Sequence, residues 1–107
     1  MNKLITVAVI DSGIYPHIDF KNHIVAFKDF VNGRKNAYDD CGHGTHVSGI
    51  IAGSGYASHG RIRGICPSAC LAGIKVLDRL GNGRIENVLD AAGWIISHQK
   101  DLNIRVV

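Results

Sequence analysis

LITVAVIDSG, residues 4–13, gives a clear indication of the fold class of this 107-residue chain. Its first seven residues are apolar or β-branched without interruption, which is typical of a strand buried on both faces of a parallel sheet. The polar residues Asp11 and Ser12, followed by Gly13, then end the strand. The segment therefore predicts the first strand of a parallel sheet.

The rest of the chain alternates short apolar strands with helices. Strands are predicted at residues 24–27, 71–77 and 104–107, and helices at residues 43–52 and beyond residue 84. The apolar face of the second helix is predicted from residues that recur at helical spacing: Ile85, Val88, Leu89, Ala92 and Ile96. The alternation predicts an α/β fold with a mostly parallel sheet, about four strands and two main helices, in one domain at residues 1–107.

Composition excludes several classes of protein. Hydrophobic residues make up 46% and charged residues 20%, which is typical of a globular domain. The net charge of +3 is weak and its Lys and Arg residues are scattered, so no nucleic-acid partner is expected. No apolar stretch reaches the roughly 18–20 residues that span a bilayer, and no signal peptide is visible, so no membrane partner is expected. Three cysteines, an odd number, indicate reduced thiols and a cytoplasmic location.

Asp11 is the first candidate for a functional side chain. Functional groups of parallel α/β sheets lie at the carboxyl ends of strands, and Asp11 directly follows the first strand. A catalytic or metal-binding carboxylate fits this position. A turn or cap residue fits it as well, because Asp and Gly are common at strand exits.

The second candidate is His43, within DCGHGTHVSG at residues 40–49. It lies near the start of a predicted helix, between glycines that permit close backbone approach. A His that acts as general base needs a carboxylate on its other nitrogen, and Asp11 is the natural partner if the two loops meet at one edge of the sheet. His46, three residues on, permits a metal site together with the neighbouring acid and thiol, or has a structural role.

Four short motifs then occur in a fixed order along nearly the whole chain. They are VIDSGI at residues 9–14, GHGTHVSG at 42–49, CPSACL at 66–71 followed by KVL at 75–77, and GNG at 81–83 followed by WII at 94–96. Together they resemble the subtilase family of serine endopeptidases, in particular its intracellular alkaline members. Ser48 stands where Ala is more usual. The resemblance implies a three-layer, parallel-sheet subtilisin-like fold, of which this chain is the N-terminal part.

The resemblance implies a role for each matching residue. Asp11 would be the carboxylate of a catalytic triad, and His43 would take the proton from a serine hydroxyl and return it to the leaving amine. Gly81, Asn82 and Gly83 would hydrogen-bond the backbone of a peptide or protein substrate as an added strand. A plain turn that caps the next helix is the alternative for these three residues.

No cofactor or metal is predicted. Asp19 matches a position that ligates calcium in some subtilases, but the loop at residues 54–63 does not resemble their calcium loop. Cys41 lies two residues before His43 and is hypothesised to make the enzyme sensitive to mercurials, with an unreactive loop thiol as the alternative.

The family's nucleophilic serine and oxyanion-hole asparagine have no match in the chain. None of the six serines lies in a Gly-Thr-Ser-Met-Ala-type motif. The chain alone is therefore expected to be inactive, and to be marginally stable or to self-associate, while the full-length protein is expected to be a serine endopeptidase. The alternatives are a non-catalytic peptide-binding module and an unrelated α/β domain with a metal at His43 and His46.

Overall fold

A four-stranded parallel sheet organises residues 4–107, the part of the chain that the computed structural model describes. The strands are β1 (Thr6–Asp11), β2 (Ile24–Asp29), β3 (Cys70–Lys75) and β4 (Ile104–Val106), in the spatial order β2-β3-β1-β4. The helices are α1 (His43–Ala52) and α2 (Ile85–Leu102), and short 3₁₀ turns occur at Ile18–Phe20 and Tyr56–Ser58. All three strand pairs are parallel, which confirms the predicted α/β class. Residues 1–3 of the predicted domain lie outside the described residues.

The two helices cover opposite faces of the sheet. Val7 and Val9 of β1 belong to one apolar cluster with Ala52 of α1, whereas Ala8 belongs to a second cluster with Ile95 of α2. The alternation follows from the two-residue period of a strand, which points successive side chains to opposite faces. The result is the predicted three-layer arrangement of helix, sheet and helix.

Small residues let α1 pack closely on the sheet. Its buried residues are Gly44, Ser48 and Ala52, which recur every four residues along one face. A Cβ atom on Gly44 would lie 2.2 Å from the carbonyl oxygen of Gly13, so only glycine permits this approach. The contact brings the beginning of α1 against the residues that follow β1.

The helix predicted beyond residue 84 is present as α2, but the prediction of its buried face was wrong. Its buried residues are Ala91 and Ile95, while Leu89 and Ile96 are 66% and 75% exposed. The observed face is rotated from the predicted one by about one residue, or about 100°. Ala91 packs in a cluster with Ala8, and such small side chains allow a close approach to the sheet. No helix in residues 4–107 has the length and apolarity needed to cross a membrane.

The carboxyl ends of three strands are aligned at one edge of the sheet. Asp11 at the end of β1 is in register with Lys75 at the end of β3, and Asp29 at the end of β2 is in register with the same Lys75. Because α1 begins at His43 close to this edge, the side chains that the sequence singles out can meet there.

Candidate active site

Asp11 and His43 meet at the carboxyl edge of the sheet. Nδ1 of His43 lies 3.0 Å from Oδ1 and 2.9 Å from Oδ2 of Asp11. A carboxylate can only accept, so Nδ1 carries the proton and Nε2 is left free to take one. The side chain of Asp11 is 12% exposed and that of His43 is 64% exposed. The pair therefore has the geometry of an accessible general base that a shielded carboxylate orients.

Ser12 connects the Asp11 loop to α1. Its backbone N–H donates to Oδ1 of Asp11 at 2.7 Å. Its hydroxyl accepts from the N–H of Gly44 at 2.9 Å and donates to Oδ1 of Asp39 at 2.9 Å. Since Ser12 is fully buried, these bonds tie together the two loops that carry the pair.

Asp39 is the acceptor that holds the beginning of α1. Its carboxylate accepts the N–H groups of Cys41, Gly42 and Thr45, and also the hydroxyl of Thr45. Partial burial raises the pKa of Asp39, but hydrogen bonds from Thr45, Gly42 and Ser12 more than offset this and lower the pKa from 3.8 to about 2. Asp39 is therefore charged at neutral pH and accepts the N–H of Thr45 in the first turn of α1, which Gly42, the N-cap residue, has no side chain to satisfy.

Gly81, Asn82 and Gly83, which we call the substrate turn, form an exposed turn between β3 and α2. Asp78 closes it, because its N–H donates to the carbonyl of Asn82 at 2.8 Å and its carboxylate accepts the N–H of Asn82 at 3.0 Å. Gly83 forms an isolated antiparallel bridge with Leu77, which itself donates to the last carbonyl of β1. The turn is thus attached to the edge that carries the pair, and its contact with a substrate backbone stays a prediction.

The remaining candidates of the sequence lie outside the pair. Within residues 4–107, Asp11 is the only hydrogen-bond partner of the His43 ring, and no group of three or more His, Cys, Asp or Glu side chains could hold a metal ion. His46 is exposed on α1. The carboxylate of Asp19 accepts a hydrogen bond from the N–H of Ala57 at 2.8 Å, so Asp19 is bonded to the backbone of the loop at residues 54–63. All three cysteines are free thiols, and Cys41 is exposed.

Asp39 supports the site and was not revealed by the sequence. An Asp just before a helix is a common N-cap signal, but Asp39 is four residues before His43 and reaches the helix across an intervening loop. The signal that could have found it is the absence of a capping side chain at Gly42, which requires an acceptor from elsewhere.

Comparison with known proteins places this geometry in a family. The chain matches the subtilase family over residues 2–107. It is 46% identical over 99 residues to serine protease AprX of Bacillus subtilis, covering 92% of this chain and 22% of that protein. It is 38% identical over 106 residues to the major intracellular serine protease of the same organism, covering 94% of this chain and 33% of that protein. The chain thus spans about a fifth to a third of these relatives.

Solved structures share the fold. The S41 psychrophilic protease superimposes with a TM-score of 0.81 at 34% identity, over 95% of this chain and 34% of that structure. Sphericase superimposes with a TM-score of 0.78 at 29% identity, over 95% of this chain and 34% of that structure. With the three-layer fold and the family match agreeing along the chain, this chain belongs to the subtilase family.

Proposed function

We propose that this chain supplies the carboxylate and the general base of a serine endopeptidase, and that the whole protein hydrolyses peptide bonds. The observation that carries the proposal is the contact of His43 Nδ1 with both carboxylate oxygens of Asp11. Relatives named as serine proteases support the reaction class. The family also supports a peptide or protein substrate.

The pair can carry out both proton transfers of acyl transfer. Nε2 of His43 takes the proton of a serine hydroxyl as the oxygen attacks the peptide carbonyl, and the imidazolium then gives that proton to the leaving amine. Asp11 stays ionised and stabilises the imidazolium through Nδ1–H. Because Asp11 is largely shielded from water, its attraction for the imidazolium is stronger than at the surface. Proton transfer of this kind contributes about 10²–10⁴-fold to a rate.

The attacking hydroxyl is proposed to come from a part of the protein beyond these residues. In residues 4–107 no serine hydroxyl bonds to the His43 ring, whose hydrogen bonds go to Asp11. The hydroxyl of Ser12 bonds to Asp39 instead, and Ser48 is buried. The 107-residue chain alone is therefore expected to show no peptidase activity.

The substrate turn is proposed to pair with the backbone of an extended peptide. Its exposure, and its attachment to the sheet edge that carries Asp11, support this role. A cytoplasmic location is also proposed, and the three free thiols support it.

The proposal is tested by labelling the protein, extended to the length of its relatives, with a fluorophosphonate. The wild type is expected to be labelled, His43→Ala to lose labelling, and Asp11→Asn to be labelled about 10⁴-fold more slowly because the wrong tautomer forms. His46→Ala is the matched control and is expected to be labelled like the wild type. Peptide binding without labelling would instead favour the non-catalytic module, and equal losses in both His variants would favour a metal at the two histidines.

A further inference from the structure

Lys75 is a charged side chain buried beside the pair and not used by the proposed chemistry. Its side chain is 0% exposed, and Lys is almost never fully buried unless it is paired. The ammonium group donates to the carbonyls of Ser12 at 2.6 Å and Leu77 at 2.7 Å, and to the carboxylate of Asp40 at 2.7 Å. It also lies 5.2 Å from the centre of the Tyr38 ring, within range of a cation–π interaction. All three donors of the ammonium are thus used.

The three acceptors belong to the three segments that form the site. Ser12 directly follows Asp11, and Asp40 lies three residues before His43. Leu77 forms the bridge that attaches the substrate turn. One ammonium group therefore connects the carboxylate loop, the imidazole loop and the segment proposed to bind substrate.

We propose that Lys75 is a positioning residue, whose ammonium group holds these three segments in the arrangement that the Asp11–His43 contact requires. The inference rests on the proposed function, because the positioned groups are those of the proposed reaction. Charge-assisted hydrogen bonds are stronger than neutral ones and constrain geometry more tightly. Loss of the ammonium would leave two carbonyls and a carboxylate without their donor, so each segment could move away from the others.

Two variants separate the contacts of Lys75. Asp40→Ala removes only the bond to the imidazole loop. It also leaves the buried ammonium group of Lys75 without its counter-ion, so a lower melting temperature is expected and the kinetics are measured below the unfolding temperature of the variant. Lys75→Met removes all three bonds. Glu86→Gln is the matched control, since Glu86 forms an ion pair with Arg84 in which both side chains are exposed.

The first readout is steady-state kinetics on a peptide substrate. The kinetics are measured in the extended protein, below its unfolding temperature. Asp40→Ala is expected to lower kcat about tenfold with KM unchanged, because a small displacement of a reacting group costs rate rather than binding. Lys75→Met is expected to lower kcat about 100-fold and to raise KM, because the substrate turn is also released. Glu86→Gln is expected to change neither. A lower melting temperature for Asp40→Ala with an unchanged kcat would show a purely structural role and overturn the inference.

The ¹⁵N spectrum of the neutral His43 ring gives a second readout that needs no activity. The population of the Nδ1–H tautomer is expected to fall in Asp40→Ala and Lys75→Met, and to stay unchanged in Glu86→Gln. An inactive wild type would contradict the proposed function, whereas tautomer populations unchanged in both test variants would overturn the role of Lys75 by itself.

Discussion

Replacing Asp39 with Asn tests whether a charged acceptor holds the beginning of α1. Oδ2 of Asp39 accepts the N–H of Thr45 at 2.9 Å, while Oδ1 accepts those of Cys41 and Gly42. An Asn side chain has one carbonyl oxygen and one amide nitrogen, so it can accept on one side only. We expect the Thr45 N–H to lose its partner, which costs about 1–3 kcal/mol of unfolding free energy.

The charge of Asp39 makes a further contribution to the free energy of unfolding, and this contribution depends on pH. Its pKa is lowered from 3.8 to about 2 in the folded protein, so the unfolded chain binds the proton more tightly. The stability gained is complete above about pH 5, about half of it is lost by pH 3, and the rest disappears as the pH falls through 2. The pKa difference corresponds to about 2.4 kcal/mol. Screening by water at this partly exposed carboxylate reduces the expected contribution to about 1 kcal/mol.

Urea unfolding, monitored by far-UV circular dichroism at pH 7 and pH 3, measures both the loss of the hydrogen bond and the contribution of the charge. Asp39→Asn is expected to be about 2–4 kcal/mol less stable than the wild type at pH 7, with a gap about 0.5 kcal/mol smaller at pH 3. Asp90→Asn, an exposed position on α2, is the control and should change stability by less than about 0.5 kcal/mol. Equal stabilities of wild type and Asp39→Asn at pH 7 would show that a charged acceptor at residue 39 does not hold the beginning of α1.

Three other perturbations follow from the packing. The hydroxyl of Ser48 is buried without a hydrogen-bond partner in residues 4–107, so Ser48→Ala should raise the unfolding free energy by about 1 kcal/mol, while Ser97→Ala on the exposed side of α2 should have little effect. Gly44→Ala places a Cβ 2.2 Å from a backbone oxygen, so it should lower the unfolding free energy by about 1–3 kcal/mol and slow fluorophosphonate labelling. A Cβ added at Gly49 would meet no neighbouring atom within 4 Å, so Gly49→Ala should instead stabilise α1 by up to about 1 kcal/mol. Leu89 is 66% exposed, so Leu89→Lys should reduce the self-association of the 107-residue chain. Light scattering at several protein concentrations measures this, and a monomeric wild type would contradict the expectation.

The elements that carry the pair could be predicted because their signals are local. The uninterrupted apolar run before Asp11 predicts a buried strand, and the structure has β1 at Thr6–Asp11. The glycines around His43 mark the start of a helix that the structure has at His43–Ala52. Both residues stand at the ends of their elements, so the parallel topology alone is enough to bring them to one edge of the sheet.

The buried face of α2 and the residues that support the pair could not be predicted in the same way. Periodicity ranks residues by hydrophobicity, whereas the sheet accepts the small Ala91 in close contact and leaves the larger Leu89 outside. Asp39 depends on how the loop before α1 folds back, which no short-range pattern determines. Lys75 did leave a signal, since a lone charge inside the apolar run at residues 71–77 requires a buried partner.

The contact between Asp11 and His43 is tested most directly by the ¹⁵N resonances of the neutral His43 ring, measured in the wild type and in Asp11→Asn. A proton held on Nδ1 and a bare Nε2 in the wild type, with mixed tautomers in the variant, is the predicted result. A ring protonated mainly on Nε2 in the wild type, or spectra that do not respond to the loss of the Asp11 charge, would show that the two side chains do not form the pair described here.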